Sequence, residues 1–156
     1  MKRFYALQKE LLKVINQYEC LIPNRDIEAD WERLHISSCA KLGYLLAEER
    51  GLDPELAACA CAIHDYGRIL TGKQKGHAEA GYEPSRDFLA ATGLFSMDEV
   101  EQIALSVKNH SNKGEVGNPL EEIVKDADIL DYYQYGNEKM REDQMKRLNA
   151  LVKAKK

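Results

Sequence analysis

The sequence predicts an all-α fold in a single domain. Proline is scarce, with 4 in 156 residues, and apolar residues recur at helical spacing along the whole chain. No segment alternates apolar and polar residues between turn signals, as a half-buried strand would. We therefore expect a bundle of about six to seven helices, with its core over residues 28–136 and a charged C-terminal helix over 137–156.

The first three predicted helices have clear ends. The first covers residues 3–20 and stops before Pro23. The second covers 26–50 and ends at Gly51, because glycine is the usual residue just after a helix. Asp53-Pro54 starts the third, which continues to about residue 64, with Asp as N-cap and Pro at the first helical position.

The rest of the chain is assigned in the same way. Residues 66–76 contain three glycines and predict a loop. A helix over 77–92 is interrupted or kinked at Pro84. A capping box at 96–99 opens a helix over 97–110, Pro119 opens another over 119–135, and residues 137–155 form the last.

Composition excludes several classes of protein. The net charge of −4 argues against a general nucleic-acid binder. We find neither a signal-peptide core nor an apolar run of the ~20 residues that a spanning helix needs, so we expect no membrane association. The cysteines lie in apolar helical stretches, which predicts reduced core thiols and a cytoplasmic protein. They are Cys20, Cys39, Cys59 and Cys61.

The most informative feature is the pair His64-Asp65 at the end of an apolar run that starts at Leu56. Burying two ionisable groups costs several kcal/mol unless something pairs with them, and a divalent metal would do so. The other histidines are His35, His77 and His110. His35 lies within an apolar stripe of the second helix that we assign to Trp31, Leu34, Ser38, Leu42, Leu45 and Leu46.

Helical spacing also directs His110 inward, because it extends the row of Ile103 and Val107. No histidine is then left for the surface, which favours a metal site. A carboxylate ligand is expected from the helix over 119–135. Asp131 falls on its apolar face, while Asp126 and Asp128 flank that face, and periodicity alone does not choose between these two.

Together these residues resemble the HD-domain superfamily of metal-dependent phosphohydrolases over residues 28–136. The motifs are His35, His64-Asp65 followed by Tyr66-Gly67-Arg68, and Ala127-Asp128-Ile129-Leu130-Asp131. The resemblance implies an HD-type helical bundle in which Asp128 is the last metal ligand. Asp126 is then expected to be solvated, and Asp131 to be either an inward group that supports the site or a helix contact.

His77 and His110 make the chain similar to a branch with two metals, the bacterial symmetrical dinucleoside-tetraphosphate hydrolases. The resemblance implies that one ion is held by His35, His64, Asp65 and Asp128, and that Asp65 bridges to a second held by His77 and His110. Nitrogen and carboxylate ligands suit Mn²⁺, Fe, Co²⁺, Ni²⁺, Zn²⁺ or Mg²⁺. The cofactor is thus predicted to be one or two divalent metal ions.

Phosphoryl transfer also needs cations, which offset developing negative charge. Our candidates are Arg68, Lys73 and Lys75 in the loop over 66–76, and Asn112 and Lys113 after His110. Many members of the superfamily have Lys where this chain has Arg68, so a planar guanidinium replaces a compact ammonium group. We take Asp65, Arg68 and Lys113 as the catalytic candidates, with a nucleotide or other small phosphorylated metabolite as substrate.

Two alternatives remain open. A set of six His and Asp ligands on this fold also resembles the di-iron oxygenase branch of the superfamily. A non-catalytic regulatory domain is the other alternative, although such members typically lose ligands and none is missing here. The long flanking helices offer apolar surface for a partner, which leaves room for a homodimer.

Overall fold

The structure is a computed structural model of the chain, which describes residues 2–136 and 139–154. Within these residues it contains eight α-helices and no β-strand. The helices are α1 (Lys2–Leu21), α2 (Ala29–Arg50), α3 (Pro54–Ile63), α4 (Tyr66–Thr71), α5 (His77–Thr92), α6 (Met97–Asn109), α7 (Pro119–Gln134) and α8 (Glu142–Ala154). None of the described helices is long and apolar enough to cross a bilayer.

The helix ends predicted from capping residues are confirmed. Gly51 follows α2 in the left-handed conformation with φ of 69°, which glycine adopts without strain. The Asp53 side chain accepts hydrogen bonds from the backbone N–H groups of Glu55 and Leu56 at the start of α3. Ser96 and Glu99 form the reciprocal capping box that opens α6.

The predicted loop over 66–76 is wrong in its first half, because residues 66–71 form α4. Gly67 lies inside this helix. A Cβ at Gly67 would sit 2.0 Å from the carbonyl oxygen of His77 and 2.6 Å from the backbone nitrogen of Gly81. Gly67 therefore allows α4 to approach α5 closely and does not mark a loop.

Two other helices bear on the prediction. α5 runs continuously from 77 to 92 through Pro84, so of the predicted interruption or kink the interruption is absent. The last helix begins at Glu142 rather than at 137, since 139–141 are not helical. Residues 137, 138, 155 and 156 of that predicted helix lie outside the described residues.

Helix α3 lies at the centre of the bundle and positions the site. All residues from Leu56 to Ile63 are buried, and α3 packs against α1, α2, α6 and α7. This explains the uninterrupted apolar sequence, since every face of α3 meets another helix. The chain leaving α3 therefore delivers His64 and Asp65 into the protein interior.

The buried face of α2 differs from the predicted stripe. Leu34 and Leu45 are more than half exposed, at 54% and 51%. The residues that pack inward are mostly small, because α2 approaches α3 closely: a Cβ at Gly43 would lie 2.3 Å from the Sγ atom of Cys61. They include Ile36, Cys39, Ala40, Gly43, Leu46 and Ala47. Cys20 is exposed, which corrects its assignment to the core, whereas the other three cysteines are buried as predicted.

Candidate metal centre

The structure brings the six predicted ligands together from five parts of the fold. They are His35 on α2, His64 and Asp65 just after α3, His77 at the start of α5, His110 just after α6, and Asp128 on α7. The four histidines and Asp65 are buried, with 1–6% of each residue exposed. Side chains far apart in the sequence therefore line one interior point.

Each histidine uses its Nδ1 atom for a contact with an acceptor. His64 donates to the carbonyl oxygen of Cys61 at 2.6 Å and His77 to that of Gln74 at 2.6 Å. His110 donates likewise to Val107 at 2.7 Å. His35 donates to the Asp131 carboxylate at 2.5 Å. Because these partners accept only, the hydrogen lies on Nδ1, which leaves Nε2 of a neutral imidazole as the ligand atom.

These Nε2 atoms converge in two pairs. The Nε2 atoms of His35 and His64 are 3.1 Å apart, and those of His77 and His110 are 2.9 Å apart. When the imidazoles are neutral, as metal ligation requires, the two unprotonated nitrogens of a pair repel each other at this distance and cannot share a hydrogen bond. Each pair thus suits a positive ion between its two nitrogens, so the residues fit the metal that the sequence predicts.

Asp65 stands between the two pairs and gives one oxygen to each. Its Oδ2 atom is 3.3 Å from the Nε2 atom of His35 and 3.1 Å from that of His64. Its Oδ1 atom is 3.0 Å from the Nε2 atom of His77 and 3.3 Å from that of His110. The donor atoms therefore divide into two subsites that share this carboxylate.

Asp128 joins the His35 subsite. Its Oδ1 atom is 3.2 Å from the Nε2 atom of His35 and 3.5 Å from that of His64. Its other oxygen accepts a hydrogen bond from the Nζ atom of Lys113 at 2.5 Å. The first subsite thus has four candidate ligands, and the second has three.

The electrostatics of the cluster favour a cation. Burial alone raises the pKa of Asp65, but the charges of Arg68 and His64 hold it well below its usual value. Asp128 shows the same balance: burial alone raises its pKa, but the charge of Lys113 outweighs this effect and the pKa lies well below its usual value. Both carboxylates therefore stay ionised at neutral pH.

The pKa values of His35 and His64 are shifted in the opposite direction from that of His110. Burial lowers the pKa of His35, but hydrogen bonds to Asp128, Asp131 and Asp65 raise it well above the usual value. The pKa of His64 is raised against burial mainly by the charge of Asp65. Burial lowers the pKa of His110 to about 4. Without metal, His35 and His64 therefore hold protons that His110 does not.

The two neighbours of Asp128 that the sequence left open have different environments. Asp131 is fully buried and accepts hydrogen bonds from His35 and from the hydroxyl of Ser38 at 2.9 Å. Asp126 is not solvated, which corrects the expectation: it is 5% exposed and pairs with Arg50 and Arg147, each at 2.7 Å. It lies outside the candidate ligand groups because these two arginines occupy both of its oxygens.

A cavity of about 570 Å³ lies against the cluster and reaches His35, Asp65, His77, His110 and Asp128. Lys113 also lines it, as predicted for a cation near the reacting group. Lys73, Lys75 and Asn112 are exposed and do not line it, so the structure places these three candidates away from the site.

Arg68 reaches the cavity but is engaged with protein groups. Its Nε and Nη2 atoms donate to the two carboxylate oxygens of Glu32 at 2.7 and 3.0 Å. Its Nη1 atom donates to Gln74 at 2.9 Å, and Nη2 also donates to Asp65. The predicted phosphate contact therefore competes with an internal hydrogen-bond network.

Several wall residues of the cavity escaped the sequence analysis. The Trp31 indole stacks on the His35 imidazole, with ring centroids 5.1 Å apart and planes at 20°, and Tyr132 meets Trp31 edge-on at 6.5 Å. Lys139 and Arg141 contribute cations from beyond α7. Glu32 does not line the cavity but pairs with Arg68. It was detectable, since it lies one turn before His35 on the same helical face. The others depend on tertiary contacts.

Cys39 is a further candidate ligand that the sequence assigned to the core. Its thiol lies in a group with His35 and His64 whose donor atoms are within 4.8 Å of one another. Burial raises its pKa well above the usual value, and a hydrogen bond with Cys61 adds to this. The neutral thiol is a weak ligand beside the carboxylates that already face the two histidines.

The comparisons with known proteins agree with this geometry. The family model of the HD domain matches residues 34–133, a range that includes all six candidate ligands. The chain belongs to the HD domain family. This HD protein also resembles the crystal structure of a predicted HD superfamily hydrolase from an uncultured Thermotogales bacterium. The TM-score is 0.60 at 22% identity, over 94% of this chain and 87% of the other. A search of curated proteins gave no significant match.

Proposed function

We propose that this HD protein is a metal-dependent phosphohydrolase with two divalent ions that share Asp65. The observation that carries the proposal is the division of the Asp65 carboxylate, which gives one oxygen to His35 and His64 and the other to His77 and His110. A carboxylate shared by two groups of nitrogen ligands can hold two ions close together, as catalysis at a two-metal hydrolytic site requires.

The chemistry follows from the charges around this point. Divalent ions at the two subsites would lower the pKa of a bound water toward ~7 and withdraw charge from a phosphoryl oxygen. Lys113 is buried and holds Asp128 at 2.5 Å beside the cavity. It can therefore orient this carboxylate and place a positive charge where the phosphoryl group gains negative charge.

The cavity supports a small phosphorylated substrate. Its volume of about 570 Å³ is within the range of ~300–1,000 Å³ that is usual for small-molecule sites. Lys113, Lys139 and Arg141 offer cations along the wall, while Trp31 and Tyr132 offer aromatic surface. A nucleotide has both chemical parts, a charged phosphate and a flat apolar ring, and is our proposed substrate class. The similar protein from the Thermotogales bacterium is a predicted hydrolase, which is consistent with this reaction.

The test is hydrolysis of a panel of nucleotides and other phosphoesters by protein loaded with Mn²⁺ or Co²⁺. We expect release of phosphate or nucleotide from some member, and loss of that activity in Asp65→Ala. Asp98→Ala is a matched control because Asp98 is exposed on α6. Activity that survives Asp65→Ala would overturn the mechanism. Oxygen uptake with Fe(II), together with no hydrolysis in Mn²⁺ or Co²⁺, would favour the oxygenase alternative.

A further inference from the structure

We propose that Glu32 and Arg68 are positioning residues that hold Asp65 between the two metal subsites, and that Arg68 is not the phosphate-binding cation. This inference rests on the proposed two-metal function. It assigns a role to Glu32 and gives Arg68 a different role from the one that its position after His64-Asp65 predicts.

The pair forms a connected buried chain that ends at Asp65. Glu32 is fully buried and accepts two hydrogen bonds from Arg68, at 2.7 and 3.0 Å. The same Nη2 atom of Arg68 that donates to Glu32 also donates to the Oδ2 atom of Asp65. The planar guanidinium contacts both carboxylates at once and so fixes Asp65, just before α4, relative to Glu32 on α2. A lysine, with a single nitrogen, could not fix both in this way.

Asp65 needs such a partner because the backbone does not orient it. It occupies the N-cap position of α4, where an aspartate usually accepts hydrogen bonds from the first turn of its own helix. Its side chain makes no such capping bond. Arg68, one turn further along α4, contacts Oδ2 and leaves Oδ1 facing His77 and His110.

The charge of Glu32 also keeps Asp65 available to metal. Arg68 alone would pair its full charge with Asp65 and compete with a metal for the carboxylate. The bidentate contact with Glu32 neutralises much of that charge and leaves a single shared Nη2 atom for Asp65. A buried ion pair contributes little stability relative to apolar residues of the same size, so orientation of Asp65 is the stronger reason for this one.

A second contact connects the pair to the His77 subsite. Arg68 donates from Nη1 to the side-chain oxygen of Gln74 at 2.9 Å. The backbone carbonyl of Gln74 accepts the Nδ1 hydrogen of His77 at 2.6 Å. Arg68 thus supports both Asp65 and His77, which are two of the three candidate ligands of that subsite. The subsite with His35, His64 and Asp128 keeps three ligands if Asp65 is displaced.

Loss of the pair should therefore remove the second ion first. We would titrate purified full-length protein with Mn²⁺ by calorimetry and count bound metal by elemental analysis after desalting. The wild type should bind two equivalents. Glu32→Gln should weaken the second equivalent by about 10- to 100-fold, the usual effect of losing a partner that orients a ligand, and should weaken the first far less. Arg68→Lys should show the same split.

Two variants separate positioning from general damage to the fold. Glu32→Gln/Arg68→Met removes both charges, so we expect it to unfold at a temperature near that of the wild type while still losing the second ion. Lys125→Met breaks another buried pair, that of Lys125 with Glu122 at 3.1 Å, and should leave both ions bound.

The outcomes distinguish this inference from the function on which it rests. Two equivalents in the wild type, with the second selectively weakened in the Glu32 and Arg68 variants, support it. Two equivalents with unchanged affinities in all of these variants would overturn it and leave the proposed function intact. A wild type that binds one equivalent or none would overturn the two-metal function itself, and the inference with it.

Discussion

The Nδ1–H group of His35 donates to the Asp131 carboxylate over 2.5 Å, and this contact turns the Nε2 atom of His35 toward Asp65 and Asp128. Asp131 therefore determines which nitrogen is offered to a metal, although it does not line the cavity. Carboxylates in this relation to a histidine ligand fix its tautomer and raise its basicity.

We expect Asp131→Asn to weaken metal binding at the His35 subsite by about 10- to 100-fold, because the amide no longer provides a charged acceptor for His35. Calorimetric titration with Mn²⁺ measures the change. Asp126→Asn is the matched control, since Asp126 is a buried carboxylate on the same helix that pairs with Arg50 and Arg147 instead of with a histidine. It should change stability but not metal affinity, and equal losses in both variants would contradict this role for Asp131.

Lys113 should affect turnover more than metal content. It holds Asp128 at 2.5 Å from within the cavity wall, and we expect Lys113→Gln to lower kcat by about 10²-fold or more because a transition-state charge is lost. Lys73→Gln is the control, as Lys73 is exposed and lies outside the cavity. Steady-state kinetics on the substrate found in the panel measure both. Equal activity of the two variants would exclude Lys113 from the reaction.

Metal binding should release protons at pH 7. The pKa values of His35 and His64 are raised well above 6.5 in the metal-free protein, so a metal must displace their protons. Affinity at this subsite should therefore rise with pH above 6.5, by up to about tenfold per pH unit for each proton displaced. His110, with a pKa of about 4, adds no such dependence at neutral pH. Calorimetry in two buffers of different ionisation enthalpy counts the protons, and a count of zero would contradict this assignment.

The close approach of α4 to α5 makes Gly67 a stability determinant. A Cβ there would lie 2.0 Å from the His77 carbonyl oxygen, so the two helices must separate. We expect Gly67→Ala to lower the free energy of unfolding by about 3 kcal/mol or more, at the upper end of overpacking effects. Gly114→Ala is the control, because its Cβ would meet only an Asp143 side-chain atom, at 3.7 Å. Urea unfolding of both variants measures the difference.

The sequence predicted what depends on local signals. Capping at Asp53, Ser96 and Gly51 set helix ends correctly, and inward histidines at helical spacing pointed to the candidate metal centre. Three errors arose where tertiary packing overrides local preference. Gly67 indicated a loop but allows two helices to touch, Leu34 and Leu45 extended an apolar stripe but face outward, and Asp126 was expected in solvent but is paired with arginines.

The division of Asp65 between two subsites could not be predicted from spacing, because it depends on how five separate segments meet. Glu32 lies one turn before His35, so its inward direction was visible in the sequence. The contact between Glu32 and Arg68 was not visible, because it joins α2 to α4, a helix in a segment whose glycines had predicted a loop. The aromatic contact of Trp31 with His35 likewise emerges only after folding.

The central claim is that Asp65 bridges two metal ions. Anomalous diffraction from crystals soaked in Mn²⁺ tests it most directly. We predict two peaks about 3.5–4 Å apart, one beside His35, His64 and Asp128 and the other beside His77 and His110, with one oxygen of Asp65 directed to each. A single peak, or two peaks that do not share Asp65, would contradict the account.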